Sequence, residues 1–178
     1  MNRLTSLLTT AVFLGALTTF GPMKPAVAET GLAIPQSERF EHEEVINKLT
    51  ALAERPAPVG PAAQQALDVV KPHLQHDDEV VLPPLTLLPL IAEGKVSPSM
   101  KWALPMIDRV KAEQAENIKI HEEITARLMK LYSDADDAGD EQAARIAREI
   151  AGDLLHDDEV TEPTVILLGE YLRTKLAS

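Results

Sequence analysis

The pentapeptide His-Asp-Asp-Glu-Val occupies residues 76–80 and occurs again, unchanged, at residues 156–160. A His-Glu-Glu tripeptide precedes each copy, at residues 42–44 and at residues 121–123. The tripeptides are 79 residues apart and the pentapeptides 80, a match that two unrelated segments rarely produce. The pattern predicts a duplicated helical hairpin that brings imidazole and carboxylate groups together four times.

The residue pattern between these motifs is helical. No segment shows the alternation of a strand, and Ala, Leu, Glu, Lys and Gln dominate. Pro and Gly divide the chain into four predicted helices, over residues 37–54, 61–93, 98–133 and 141–176. Short connections favour antiparallel neighbours, so the sequence predicts an all-α, up-down antiparallel four-helix bundle. Pro83 and Pro84 in the second helix and Pro163 in the fourth predict a kink just after each pentapeptide.

The first 28 residues have the pattern of a secretory signal peptide. Arg3 precedes an apolar run over residues 4–20, and Ala26-Val27-Ala28 is a small-residue cleavage site. A membrane anchor is the alternative, but the run is short and Gly15 interrupts it. We therefore expect a mature domain at residues 29–178, exported to a bacterial periplasm and free of the membrane after cleavage.

Composition excludes several classes of function. The net charge of −11 argues against binding to nucleic-acid phosphates. The absence of cysteine excludes disulfides, thiolate zinc sites and cysteine nucleophiles. An acidic exported domain is suited to attract cations.

Helical phase predicts which polar side chains face the interior. His42 and His121 share their faces with aliphatic residues, and His73 lies at the centre of an apolar stripe. The predicted inner stripe of the fourth helix consists of Ile146, Ile150, Val160, Leu167 and Leu168. The same count places the following residues on or beside the inner stripes of the second and fourth helices: His76, Asp77, Asp153, His156 and Asp157. It turns Glu44, Asp78 and Asp158 toward solvent. For Glu79 and Glu159 the phase leaves the question open.

Burying these groups requires a compensating interaction. An unpaired buried polar group costs about 1–3 kcal/mol, and a lone buried carboxylate costs much more. A bound cation would neutralise the carboxylates and accept the imidazole lone pairs, and iron, manganese and zinc favour mixed nitrogen and oxygen ligands. An internal His–Asp salt-bridge network without metal is the alternative.

The segments RFEHEEVINKL, IKIHEEITARL and KPHLQHDDEVVLPPL resemble the hemerythrin-like (HHE cation-binding) domain, a four-helix bundle that holds a non-haem di-iron centre. In this resemblance His73 takes a ligand position, Asp77 the bridging-carboxylate position and Pro83 the position of a family proline. The chain departs from the family where Asp77 and Asp157 replace Glu. It also departs where Asp153 replaces a His, and Asn117 and Thr125 stand where the third helix would carry a second His.

The resemblance implies an iron site, with another divalent metal as a further option, and a small diatomic ligand as partner. The implied ligand set is His42, His73, His76, Asp77, His121, Asp153, His156 and Asp157. His42 and His73 would hold one metal, His121 and His156 the other, and the two aspartates would bridge them. The expected function is to bind or sense O2, NO or peroxide. The alternatives are a di-metal oxidoreductase of peroxidase or ferroxidase type, and a metal-free structural or interaction bundle.

Overall fold

The chain is all-helical in the part that the structure describes, and no strand occurs there. This structure is a computed structural model, which describes residues 33–177 without the side chains of residues 155–158. Its α-helices are α1 (Gln36–Ala53), α2 (Val59–His76), α3 (Leu88–Ala92), α4 (Ala103–Asp137) and α5 (Glu141–Leu176). The all-α prediction is confirmed, with four long helices as expected. The predicted signal peptide, residues 1–28, lies outside the described residues.

The second predicted helix is not continuous. α2 ends at His76, a wide π-helical turn follows over Asp77–Val81, and a tighter 3-10 turn covers Pro83–Leu87 before α3 begins. Leu82 donates its N–H to the carbonyl of Asp77 at 2.9 Å, five residues back instead of four. Two consecutive prolines remove two backbone donors, so the ordinary hydrogen-bond ladder cannot continue. The predicted disruption after the first pentapeptide is confirmed.

The second pentapeptide has a different backbone. α5 runs without a break from Glu141 to Leu176, and Pro163 lies inside it. One proline removes a single donor, whereas the first copy loses two in succession. α5 is therefore continuous in secondary structure where the second predicted helix is interrupted, and the two copies of the motif have different backbones.

Side-chain contacts between helices define how the bundle is assembled. α1 packs against α2, α2 against α4, and α4 along α5. Arg55, after α1, bonds to Asp140 and Gln142 at the start of α5. The α4–α5 pairs are Tyr132–Arg148 at 2.6 Å, Asn117–Glu162 at 2.8 Å and Lys111–Glu170 at 3.3 Å. Along this series the residue number falls in α4 while it rises in α5.

The hydrophobic core consists of two clusters. The first joins α1 and α2 to the end of α4 and the start of α5; its large members include Leu49, Leu52, Val70, Leu74, Ile124, Leu128, Leu131, Ile150 and Leu154. The second joins the π-helical and 3-10 turns to the other halves of α4 and α5, through Val80, Val81, Leu87, Ile107, Val110, Val165, Leu168 and Leu172.

The buried stripe of α5 differs from the predicted one. Ile150 and Leu168 are buried as expected, but Val160 and Leu167 are 49% and 69% exposed. Instead Ala143 and Ala147 are fully buried and lie in line with Ile150 and Leu154. Small side chains let helices approach closely, so alanines occupy the interior where larger aliphatic residues were predicted.

Asp140 joins two ends of the bundle and offers a test of that junction. Its carboxylate accepts the N–H of Ala143 at 3.0 Å as the N-cap of α5, and the bond from Arg55 holds the pKa of Asp140 below its usual value. Asp140→Asn keeps the cap and loses the charge pair, whereas Asp140→Ala loses both. Thermal melts near neutral pH should rank the wild type above Asp140→Asn, and Asp140→Ala a few degrees lower again.

The acid limb of the same experiment tests the ion pair. A carboxylate whose pKa is lower in the folded state adds stability above its unfolded pKa, near 3.9, and loses it as the pH falls through the folded pKa. The gap between wild type and Asp140→Asn should therefore narrow below about pH 4. Asp137→Asn, at an exposed position in α4, is the control. A gap that stays constant with pH would contradict the assigned pair.

Candidate metal centre

A layer of polar side chains lies between the two hydrophobic clusters. In α4, Asn117 and His121 fall between Val110 of the second cluster and Ile124 of the first. In α5, Glu162 falls between Leu154 and Val165 in the same way. Among the described side chains, the buried polar or charged ones are His42, His73 and Asn117, and the predictions that His42 and His73 point inward are confirmed.

A small cavity lies in this layer. Its polar walls are His42, His73, Asp77 and Glu162, and its volume is about 20 Å³. The remaining walls are Leu74, Val81, Leu82, Leu154 and Thr161. One water molecule needs about 10–15 Å³ by this measure. The cavity therefore has room for one water molecule or one ion.

Asp78 orients His42. Its Oδ1 lies 2.9 Å from Nδ1 of His42, although the two residues belong to different helical segments. An ionised carboxylate only accepts, so the imidazole donates from Nδ1, and in its neutral form the lone pair is on Nε2. Burial raises the pKa of Asp78, and the neighbouring His42 opposes that rise. The Asp78 side chain is 37% exposed, in line with the prediction of a solvated acid, but the sequence did not predict its bond to His42 of the neighbouring helix.

His73 connects the cavity to α4. Its Nε2 lies 3.2 Å from Oδ2 of Asp77, one helical turn further along the chain. Its ring meets the ring of His121 edge-on, with the centroids 4.7 Å apart and the planes at 73°. The Nε2 atom of His121 is shielded from solvent. His121 is therefore brought beside the cavity through His73, although it does not line it.

His76 lies outside the cavity. Its Nε2 is 2.9 Å from Oε2 of Glu113 on α4, and its Nδ1 is 3.6 Å from Asp77. The nearby carboxylate of Asp77 is the main cause that raises the pKa of His76, and the bond to Glu113 acts in the same direction. Arg109 is the main cause that lowers the pKa of Glu113. The predicted ligand His76 thus belongs to an ion-pair chain at the bundle surface.

The remaining predicted ligands divide into two groups. Asp153 is exposed and lies in a groove between α1 and α5, so its predicted inward orientation is wrong. The buried neighbours Ile150 and Leu154 take the inner face at this point, and Asp153 flanks them. The side chains of His156 and Asp157 lie outside the described part of the chain.

The structure also shows the exposure of three glutamates whose orientation was considered in the sequence. Glu44 is exposed as predicted and pairs with Lys48 at 2.7 Å. Glu79 and Glu159, for which the helical phase was ambiguous, are both exposed.

Glu162 and Asn117 were not predicted to take part in the site. Asn117 donates through Nδ2 to Oε1 of Glu162 at 2.8 Å and so fixes that carboxylate next to the cavity. The sequence did contain a pattern that indicates an inward orientation for both residues. Asn117 lies seven residues from both Val110 and Ile124, and Glu162 lies three before Val165, so both fall on buried stripes.

These residues suit a metal ion in two respects, the chemical types of their donor groups and the size of the cavity that they surround. Two imidazoles and two carboxylates around a one-ion cavity are a donor set that iron, manganese or zinc accepts. Within residues 33–177, and excluding the side chains that are not described, no three His, Asp or Glu groups converge closely enough to hold a metal ion as they stand. The donors approach in His–carboxylate pairs instead.

Comparison of the chain with known protein families, with characterised proteins and with solved structures finds no match. The described helices include none long and apolar enough to cross a membrane.

The His42–Asp78 contact can be tested in the metal-free protein. Nitrogen-15 NMR of the imidazole should show the proton on Nδ1 in the wild type. Asp78→Ala should shift it toward Nε2 and lower the free energy of unfolding by about 1–3 kcal/mol, because a buried donor loses its acceptor. Glu43→Ala, an exposed neighbour of His42, is the control and should change neither quantity. The same tautomer with and without Asp78 would refute the orienting role.

Proposed function

We propose that this chain is a hemerythrin-like metal-binding protein that holds non-haem iron and binds or senses O2, NO or peroxide. The observation that carries the proposal is the cavity in the polar layer, where His42, His73, Asp77 and Glu162 surround space for one ion. The duplicated motif of the sequence supports it, because the two His-Glu-Glu tripeptides each supply a histidine to this level of the bundle, His42 and His121. The proposal includes export of residues 29–178 to a periplasm, on the pattern of residues 1–28.

We also propose that the four long helices form an up-down antiparallel bundle. Pairs in which α4 numbers fall as α5 numbers rise are those of antiparallel neighbours. The Arg55–Asp140 contact joins the turn after α1 to the turn before α5, so both turns lie at one end of the bundle. Contact between His42, early in α1, and Asp78, just after α2, fits the same arrangement for the first hairpin.

In the proposed site His42, His73, Asp77 and Glu162 hold one ion. His121, beside His73, together with His156 and Asp157 of α5 would serve the second ion of a di-iron centre. Bound iron would supply an open coordination position and the electrons that O2 or NO accepts. The protein's part is to orient and to exclude water: Asp78 fixes the ring of His42, Asn117 fixes Glu162, and four aliphatic side chains close the cavity.

The cavity lies close to the surface on three sides. His73 also lines a groove between α2 and α4 of about 450 Å³. Glu162 lines one between α4 and α5 of about 650 Å³, and His42 lines one between α1 and α5 of about 360 Å³. One layer of side chains therefore separates the site from solvent. Such a layer admits a diatomic molecule after a small rotamer change, whereas an organic substrate would have to open the bundle.

A second candidate is a metal-free structural bundle. The observation that favours it is the pairing of three histidines with acids, His42 with Asp78, His73 with Asp77 and His76 with Glu113. Protonated imidazoles in these pairs would compensate the buried charge without any cation.

Metal binding separates the two candidates. Titration of the purified protein with Fe(II) in the absence of air should load iron and raise the free energy of unfolding by about 2.7 kcal/mol when free iron is a hundredfold above Kd. His42→Ala, His121→Ala and Glu162→Gln should each weaken iron binding by at least the roughly 10- to 100-fold that supporting residues of metal sites contribute. Metal analysis and chelator competition measure both effects.

Glu44→Ala and Glu44→Gln are the matched controls, because Glu44 is an exposed acid on the helix that carries His42. Both should bind iron like the wild type. Circular dichroism confirms that each variant is folded before its metal content is compared. A wild type that neither binds iron nor gains stability would overturn the metal proposal in favour of the second candidate. Equal iron content in all variants would reject the ligand assignment alone.

A further inference from the structure

The short helix α3 is apolar and uncovered. Its sequence, residues 88–92, is Leu-Pro-Leu-Ile-Ala, and none of these five residues is buried. Leu88 and Leu90 are 37% and 42% exposed. The bond between Arg173 of α5 and Asp108 of α4 shows that the end of α5 and the start of α4 lie together. We call residues 88–112 and 167–177, which form this end of the bundle, the α3 end.

A groove in the α3 end combines apolar walls with cationic and hydroxyl groups. It lies between α3 and the 3-10 turn before α4 and has a volume of about 590 Å³. Leu90 and Trp102 contribute to its apolar walls, and Lys95, Ser97 and Ser99 to its polar ones. The two serine hydroxyls are 2.6 Å apart, so one donates to the other and the accepting hydroxyl can donate to a ligand. This combination suits an amphiphile with a negatively charged headgroup.

The net charge of the α3 end is positive, whereas the rest of the bundle is acidic. The α3 end contains six Lys and Arg residues and three acids, while the remainder of residues 33–177 contains nine and twenty-four. Each of the three acids is already paired with a base of the same end, in the pairs Glu93–Lys95, Asp108–Arg173 and Glu170–Lys111. Counting Glu113 as well, which pairs with Arg109 just beyond this end, leaves the net charge positive.

The acidic remainder lies too far away to cancel this charge. Exposed charges separated by more than about 8 Å are largely screened at physiological ionic strength. α4 has 35 residues and is therefore about 52 Å long, so most of the acids lie several screening lengths from the α3 end. A surface in contact with the α3 end is thus exposed mainly to its lysines and arginines. Near an anionic membrane each such residue strengthens binding roughly fivefold.

We propose that the α3 end docks on the surface of a lipid bilayer that carries negative charge. Leu88 and Leu90 enter the boundary between headgroups and acyl chains, Trp102 lies at the level of the headgroups, and Lys95 and Lys101 contact the lipid phosphates. α3 has five residues, far fewer than the roughly 20 that a membrane span needs, so the contact is peripheral and reversible. The mature domain was expected to be free of the membrane, and this contact revises that expectation.

Trp102 provides a direct test, because it is the one Trp of the chain. Vesicles of phosphatidylcholine with phosphatidylglycerol should shift its fluorescence to shorter wavelength, and brominated acyl chains in the same vesicles should quench it. Vesicles of phosphatidylcholine alone should do neither. Raising the salt concentration about tenfold should weaken the response to anionic vesicles by at least roughly tenfold, since the screening length becomes shorter. The full chain is used, and its apolar run at residues 4–20 contains no Trp.

Variants at exposed positions separate the α3 end from the rest of the surface. Lys95→Glu and Lys101→Glu should each weaken binding to anionic vesicles at least roughly fivefold, and Leu90→Ser should weaken it several-fold because less apolar surface is buried. Lys119→Glu on α4 and Phe40→Ser on α1 are the matched controls, because both residues are exposed and lie outside the α3 end. Both should bind like the wild type. Circular dichroism confirms that each variant is folded.

Three results would overturn the proposal. The first is Trp102 fluorescence that responds to neither kind of vesicle, or equally to both. The second is equal vesicle binding by the α3-end variants and the two controls. The third is a wild type that forms dimers in sedimentation velocity without binding vesicles, with the dimers lost in Leu90→Ser. That last result would assign the α3 end to a second copy of the chain.

Discussion

Desolvation of the polar layer is the constraint on which the rest of this bundle depends. Two hydrophobic clusters on either side hold the helices together, yet imidazoles, carboxylates and an amide occupy the level between them. Each of these groups loses water on folding, and each must recover a partner of comparable strength. The His–carboxylate pairs and the Asn117–Glu162 bond supply those partners within the chain. The same groups are the donors that a cation would use, which is why an ion-pair network and a metal centre compete for one set of residues.

The duplication visible in the sequence is not reproduced as structural symmetry. Two prolines after the first pentapeptide force a wide turn and then a tight one, whereas the single proline after the second leaves α5 continuous. Val80 is buried after the wide turn, whereas its counterpart Val160 on the continuous helix is 49% exposed. Identical residues of the two copies therefore have different environments, and a residue's role in one copy does not transfer to the other.

Much of the architecture was predictable from local patterns. Four long helices followed from proline and glycine spacing, and the inward orientation of His42 and His73 followed from helical phase along regular segments. The failures have identifiable physical causes. The bond of Asp78 to His42 was not predicted, because helical phase does not show which neighbouring helix a flanking side chain contacts. Asp153 and Leu167 were misplaced because buried alanines, not large aliphatic residues, mark the inner side of α5. Glu162 falls on a buried stripe three residues before Val165, but its place beside the cavity was missed because it depends on the bond from Asn117 of α4, which local periodicity does not reveal.

The wide turn at Asp77–Val81 has a consequence for how this segment tolerates change. An α-helix advances about 100° per residue, so one extra residue in a turn rotates everything beyond it by nearly a third of a circle. That rotation lets the same short segment place acidic side chains in the polar layer and then Val80 and Val81 in the second hydrophobic cluster. Deleting one residue of the turn would leave the remaining side chains the same, but it would rotate the apolar side chains that follow away from their contacts. The length of this turn is therefore as much a part of the site as the identity of its residues.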